Sequence, residues 1–479
     1  MDKYLREYAE RDTSAVEDIP PGEPWQQVVV IPVCNESTQI LRPLPPGPGR
    51  SLMMLVVNET EAAAAHVSAA NLDFAATLLA RFRKCWRSAT AAGLTLYQDT
   101  ESARDVLLVD RFSKGRKFPA KGGVGHARKT GADLAAYLIH QQRVRSPWIH
   151  CSDADVHLPQ RYFSCSAELS DSSARDTAAL LYPFRHSPAA DNLVVTEGVG
   201  ESADEQQQKI MQATQLYEFS LRYYVAGLKY ANSPYAFHTI GSTMAVNAAH
   251  YAKVRGFPRR NAGEDFYLLN KLSKVGAVRQ LSAETDCEPI EIAARLSDRV
   301  PFGTGAATGK IMQLDDPVRE FLLYHPDVFA LLSVWLGCLA TFWHKRSSDL
   351  PAILSQGPCT DQQGSLSDFP QRDLQVLING LEEAGAKKAL QHALRQSADA
   401  TQFNRQMHTW FDAFRSLKLI HYLRDHHVPS ISFEALLTEQ KLDHLLRHEA
   451  GLPGLHETLC NEGLKKQEVA GDYIFDKKA

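Results

Sequence analysis

At 479 residues the chain is longer than one hydrophobic core normally serves, so two domains are expected. Its 44% hydrophobic and 23% charged residues are the balance of a soluble globular protein. A net charge of −4 excludes the general electrostatic signature of a nucleic-acid binder, so any anion site must come from local clustering.

Residues 1–26 are polar and contain Ile19-Pro20-Pro21-Gly22-Glu23-Pro24, which reads as an N-terminal arm. The opening Met1-Asp2-Lys3-Tyr4-Leu5-Arg6-Glu7 lacks the apolar stretch of an export signal, so a cytoplasmic protein is expected, with the inner face of a membrane as an alternative station. Eight cysteines without a CxxC pair fit reduced thiols rather than a disulfide framework or a zinc site. Segment 27–33 is a β-branched run that predicts a first buried strand, the Pro- and Gly-dense 42–50 a loop, and 52–57 a second strand. Segment 62–92 is Ala-rich, and Leu72, Ala75, Leu78, Leu79, Phe82 and Trp86 recur in it at helical spacing. Further strands are predicted at 106–109, 148–151, 178–182 and 239–246, with helices at 131–141 and 207–230. This alternation predicts an α/β domain over 27–310, its mostly parallel sheet flanked by helices. Past it, helical stretches such as 374–383 and 406–423 dominate, so 311–479 is expected to be a mainly helical domain. Segment 328–343 runs sixteen residues without a charge. A spanning helix needs ~20, so a buried core helix is predicted, with peripheral membrane contact as the alternative.

The segments that carry chemistry lie between these elements. The first strand runs into Pro32-Val33-Cys34-Asn35-Glu36, a turn at the sheet's carboxyl edge, where ligand crevices form. Asn58 and Asp110 follow the second and third strands. Segment 114–130 places six Lys or Arg and four Gly ahead of a helix. Glycines let backbone amides approach an anion, and a helix N-terminus favours one. The pattern is neither a P-loop nor a dinucleotide fingerprint. Cys151-Ser152-Asp153-Ala154-Asp155 sets two carboxylates one residue apart at a strand end, oxygen donors suited to Mg²⁺ or Mn²⁺. Gly263-Glu264-Asp265-Phe266 opens a helix whose apolar face carries Leu268, Leu269 and Leu272. Acidic residues there either match the helix dipole or serve as a base for a hydroxyl within reach. Segment 237–244 holds Gly241 and Ser242, small enough for a substrate to approach or simply part of a short strand. Arg295 and Arg299 precede Gly303 and Gly305, the composition of a loop that closes over a diphosphate.

Taken in order, Pro32-x-x-Asn35-Glu36, Asp153-x-Asp155 and Glu264-Asp265 resemble a family 2 glycosyltransferase of the GT-A fold, over roughly residues 25–305. The resemblance implies a nucleotide-sugar donor, a UDP- or GDP-sugar, in a pocket that starts at Pro32, Asn35 and Glu36. It implies a contact to the base from Asn58 or Asp110, and phosphate-side roles for Gly125, Arg128, Arg295 and Arg299. In the matching Gly-x-x-x-Ala-Arg-Asn segment, Lys129 stands where the family has Asn. Asp153 and Asp155 would hold Mg²⁺ or Mn²⁺ against the diphosphate, and Gly241 and Ser242 would line the acceptor side. Asp265 would be the general base with Glu264 beside it, giving inverting hexosyl transfer to a hydroxyl of a small molecule or a lipid-linked glycan. Two other readings compete: a retaining GT-A transferase acting on a small acid, and a non-catalytic nucleotide-sugar-binding scaffold.

Overall fold

Burial on both faces is what turns the first apolar runs into parallel strands. All eight residues of Ser51–Asn58 (β2) are buried, as are all but Pro32 of Gln27–Val33 (β1). The computed structural model describes residues 1–47, 49–90, 92–169, 171–188, 203–282, 287–297, 303–357, 370–449 and 451–460. The chain divides into two compact units, 1–207 with 239–306 and 208–238 with 307–479.

The remaining strands of the first unit, in chain order, are Arg83–Arg87 (β3), Leu94–Gln98 (β4), Arg104–Arg111 (β5), Trp148–Cys151 (β6), Val156–His157 (β7), Thr177–Leu181 (β8), Phe184–Pro188 (β9), Met244–Asn247 (β10), Ala277–Gln280 (β11) and Ile290–Ala294 (β12). Nine of these twelve strands, β1 and β2 included, form one sheet in the order β11-β8-β10-β6-β1-β2-β5-β4-β3. Its heart, β6-β1-β2-β5, is parallel, but β10 runs antiparallel to both neighbours and β3-β4 is an antiparallel hairpin beside β5. The expected mostly parallel sheet is therefore a mixed one, flanked by helices in a Rossmann-like α/β domain. A second sheet, β7-β12-β9, ties the segment after β6 to the end of β12.

Two predicted elements end elsewhere. After a short N-terminal helix, Asp2–Glu7 (α1), the Ala-rich helix spans Ala65–Arg81 (α2) and stops where Phe82 turns extended. It buries Asn71, Phe74 and Leu78, whereas Leu72 and Leu79 are exposed, so the apolar spacing read through to Trp86 runs across a helix end into β3. The strand expected at 239–246 begins only at Met244, because the Thr243 amide closes a turn onto the Ile240 carbonyl. The helix Val124–His140 (α3) covers β1, β2 and β6 and starts at the sheet's carboxyl edge.

In the second unit the helix expected at 406–423 is two, Ala400–Trp410 and Ala413–His426, the latter capped by Asp412. Among the described residues Pro326–Lys345 is a helical stretch long and apolar enough to cross a membrane, four residues longer than the charge-free run within it. Yet 78% of its apolar window is buried, with Phe329, Trp335 and Phe342 wholly enclosed. Such burial is that of a core helix.

Candidate functional site

Because β1 and β6 are parallel neighbours, the turns that follow them emerge on one edge of the sheet. Glu36 leaves the first turn and Asp153 and Asp155 the second. The small sheet returns a third chain segment to this edge. Ile292 pairs with Val156 and the Ala293 amide donates to the Asp155 carbonyl at 3.0 Å, which delivers Arg295. Its guanidinium donates Nε to Oδ2 of Asp155 at 2.7 Å. It also grips Glu36 with two bonds, Nη1 to Oε2 at 2.9 Å and Nη2 to Oε1 at 2.7 Å. Such fork-to-fork pairing is the strong form of the arginine–carboxylate contact.

A second arginine closes the other half. Arg128, buried in the second turn of α3, donates Nη2 to Oδ1 of Asp153 at 2.6 Å and Nε to Oε1 of Glu264 at 2.8 Å. Burial works against its charge, but Asp153 and Glu264 outweigh that and hold it more firmly protonated than a free arginine. Gly241 lies against this guanidinium: a Cβ there would sit 2.7 Å from Nη2 and 2.8 Å from Cζ. Ser242, beside it, is buried. Thus Gly241 and Arg128, 113 positions apart in sequence, meet at the same place.

The helix Glu264–Leu272 begins after Gly263, whose φ of 72° allows the sharp entry. Glu264 is buried and Asp265 half-buried at its first turn. Burial, followed by the neighbouring Glu264, pushes the Asp265 carboxyl up to about 7, and Arg128 offsets only part of this. Asp153 is raised as well, first by burial and then by Asp155 and Glu264, against the pull of Arg128. Among the described residues, five carboxylates (Glu36, Asp153, Asp155, Glu264, Asp265) gather around two guanidinium groups.

Carboxylates gathered in this way suit a divalent cation. Mg²⁺ is commonly held by one or two carboxylates, with substrate phosphates and water completing its shell. Asp153 and Asp155 are hard oxygen donors of this kind, each engaged with an arginine through one oxygen. Among the described residues no three or more His, Cys, Asp or Glu side chains form a ready-made metal cage. His157 is exposed in β7.

Other predicted residues have structural partners. Asn58 donates Nδ2 to the carbonyls of Val33 and Val56, at 3.0 Å each, and so braces the two strand ends from within. Asp110 accepts from the amides of Phe112 and Ser113 and from Nη1 of Arg116 at 2.7 Å. Burial would raise its carboxyl, yet those bonds hold it below the ordinary range. The amide of Gly125 donates to the Arg260 carbonyl at 3.1 Å, and a Cβ would lie 2.5 Å from that oxygen, so this glycine packs α3 against the segment leading to Glu264. Pro32 is half-buried in β1, and Asn35 is exposed with φ 52°. Arg299 lies outside the described residues. The basic segment does not act as one patch: Arg116 pairs with Asp110, Lys117 with Glu59, and Lys129 with Asp133, while Arg128 reaches the carboxylates.

Asn71 and Glu59 are buried polar residues beside the first turn, and polarity within apolar surroundings is their one signal in the sequence. Tyr4 and Asp133 contact Lys129, and Tyr251 donates to Asp133, with no motif in the sequence to mark them. A cavity of about 1040 Å³ lies elsewhere, between the N-terminal arm and α3, lined by residues that include Tyr8, Glu10, Lys129, Tyr137 and Arg259. Its Lys129 and Arg259 are paired with Asp133 and Glu10.

No protein-family model matches the chain, and no curated protein is detectably similar to it. The first unit is a mixed, Rossmann-like α/β domain, and such a fold hosts many chemistries, so function rests on the site.

Proposed function

We propose that the first unit is a GT-A-type glycosyltransferase that moves a hexose from a UDP- or GDP-sugar to an acceptor hydroxyl with inversion. The observation that carries the reading is the meeting of Glu36, Asp153, Asp155, Glu264 and Asp265 around Arg128 and Arg295, with Asp265 pushed up to about 7. A carboxyl near neutrality is matched to taking a proton from a hydroxyl at physiological pH. Asp265 is assigned that step, and the alkoxide so formed attacks the anomeric carbon on the face opposite the leaving diphosphate. Glu264 and Asp153 orient Arg128, whose charge faces the departing phosphates, and Arg295 does the same from the Glu36 side. Asp153 and Asp155 would hold Mg²⁺ or Mn²⁺, which when bound supplies positive charge to the diphosphate. The acceptor is proposed to be a small molecule or a lipid-linked glycan met at a cytoplasmic membrane face.

The reading is tested by thermal stability against UDP, GDP and their sugars, with and without Mn²⁺, on wild type and Asp155→Ala. A ligand at a hundred times its Kd stabilises by about 2.7 kcal/mol. The expected outcome is a stabilisation of that order with one nucleotide, dependent on Mn²⁺ and absent in the variant. If no nucleotide shifts the wild type, the transferase reading fails and the scaffold reading falls with it.

A further inference from the structure

We infer that Asn71, oriented by Glu59, is a positioning residue for the Asn35-Glu36 turn; the inference rests on the glycosyltransferase reading only in calling that turn part of a donor pocket. Asn71 is completely buried on the inner face of α2, between that helix and the end of β2. Burying an amide is unfavourable unless its hydrogen bonds are met, and here they are met in a directed way. Oδ1 accepts the backbone N–H of Asn35 at 3.1 Å. Nδ2 donates to the Asn58 carbonyl at 3.0 Å and to Oε2 of Glu59 at 3.1 Å.

The direction follows from Glu59. An ionised carboxylate only accepts, so it draws the NH₂ side of the amide toward itself and leaves Oδ1 facing Asn35. Glu59 is 1% exposed and also accepts from Ser68 Oγ at 2.7 Å. Its counter-charge is Lys117, which gives this lysine of the basic segment a structural task.

Asn35 is what needs holding. With φ 52° it occupies the left-handed region, which residues other than glycine seldom adopt and asparagine tolerates best among them. Its backbone N–H is fastened by Asn71, and the next residue, Glu36, is the one Arg295 grips with two bonds. A continuous path therefore runs from Lys117 through Glu59, Asn71, Asn35, Glu36 and Arg295 to Asp155. Loss of the Asn71 amide would free the turn and misplace Glu36 without removing any group of the site itself.

The test compares the full chain as wild type, Asn71→Leu, the double variant Asn71→Asp/Glu59→Gln, and Leu78→Ala. The double variant keeps the net charge and an oxygen facing Asn35 while exchanging donor and acceptor across the 59–71 contact. Leu78→Ala damages the same buried helix face without touching the turn. Two quantities are measured on folded protein: hydrogen exchange of a peptide spanning residues 34–37, and affinity for UDP and GDP with Mn²⁺. Asn71→Leu is expected to speed exchange at 34–37 at least tenfold and to weaken nucleotide binding at least tenfold. The double variant should recover part of both, since it restores the 59–71 contact but not the donation to the Asn58 carbonyl, and Leu78→Ala should change neither despite its lower stability. Unchanged exchange in Asn71→Leu, or an equal effect in Leu78→Ala, overturns the positioning role. Faster exchange in Asn71→Leu with wild-type nucleotide affinity overturns its link to the donor. A wild type that binds neither nucleotide sinks the transferase reading instead, whatever the exchange shows.

Discussion

Arg128 and Lys129 are consecutive residues of α3, both buried, and they enter two different kinds of charge cluster. Lys129 Nζ lies 2.9 Å from Oδ2 of Asp133 and 3.1 Å from the Tyr4 hydroxyl. Asp133 also accepts from the hydroxyls of Tyr4 and Tyr251 and from the Glu10 amide. One cation meets one anion, and the surrounding donors are turned onto that anion. The product is a closed knot that fastens the N-terminal arm to α3. Arg128 instead joins, among the described residues, a set of five carboxylates that also holds Arg295. Balanced buried charge of the first kind makes structure. In the second kind, burial and then the neighbouring Glu264 raise the Asp265 carboxyl to about 7, the kind of perturbation that clusters at functional sites.

The sharpest test of that contrast is Asp265→Asn. If Asp265 is the base, kcat/KM falls by about 10²–10⁴ while the fold is kept. Stability should move the other way. The folded value of about 7 lies above the ~4 of an unfolded aspartate, so the folded state binds an extra proton between the two. Ionising Asp265 therefore destabilises the native protein progressively as pH rises from about 4 through about 7. Asp265→Asn escapes this: by urea midpoint in EDTA it should equal wild type near pH 4 and exceed it at pH 8. A variant less stable than wild type at pH 8 would show that the carboxylate holds the fold together and would erase the contrast. In wild type, kcat/KM should rise with pH through about 7.

Next in size is the closed knot. Asp133→Ala leaves Lys129 buried without its partner, an arrangement that typically costs about 3–5 kcal/mol. Replacing both, as Lys129→Met with Asp133→Leu, should recover a large part of the loss, since no lone charge is then buried. Denaturant unfolding measures both; a loss below about 1 kcal/mol for Asp133→Ala would mean that the knot is no more structural than a surface pair. The smallest expected effect belongs to Leu79→Ser, at a side chain 58% exposed on α2, where stability should stay within about ±0.5 kcal/mol. A larger loss would show that the outer face of α2 is covered in solution.

Local pattern carried the elements whose character is local. Runs such as Val28-Val29-Val30-Ile31 suit strands and little else, and the strand-end motifs after β1 and β6 were visible because a turn must follow a buried strand. The helical character of the later residues was legible for the same reason. Strand direction was not, because it depends on which neighbours pair. β4 is five residues in a Gly-flanked stretch, and only its pairing with β5 makes it a strand, antiparallel and paired in turn with β3. Nor could the basic run at 114–130 be divided from sequence, since what a cation does depends on where its partner lies. Lys117 answers Glu59, 58 positions earlier, and Arg128 answers Glu264, 136 positions later. Asn58 has the composition of a ligand contact, but its neighbours Val33 and Val56 offer two carbonyls that a buried amide must satisfy. The sequence by itself determined which residue types stand at the strand ends. The tertiary structure alone decided which of them face one another, because hydrogen bonds and charge act through space over a few ångströms, and chain order does not record that distance.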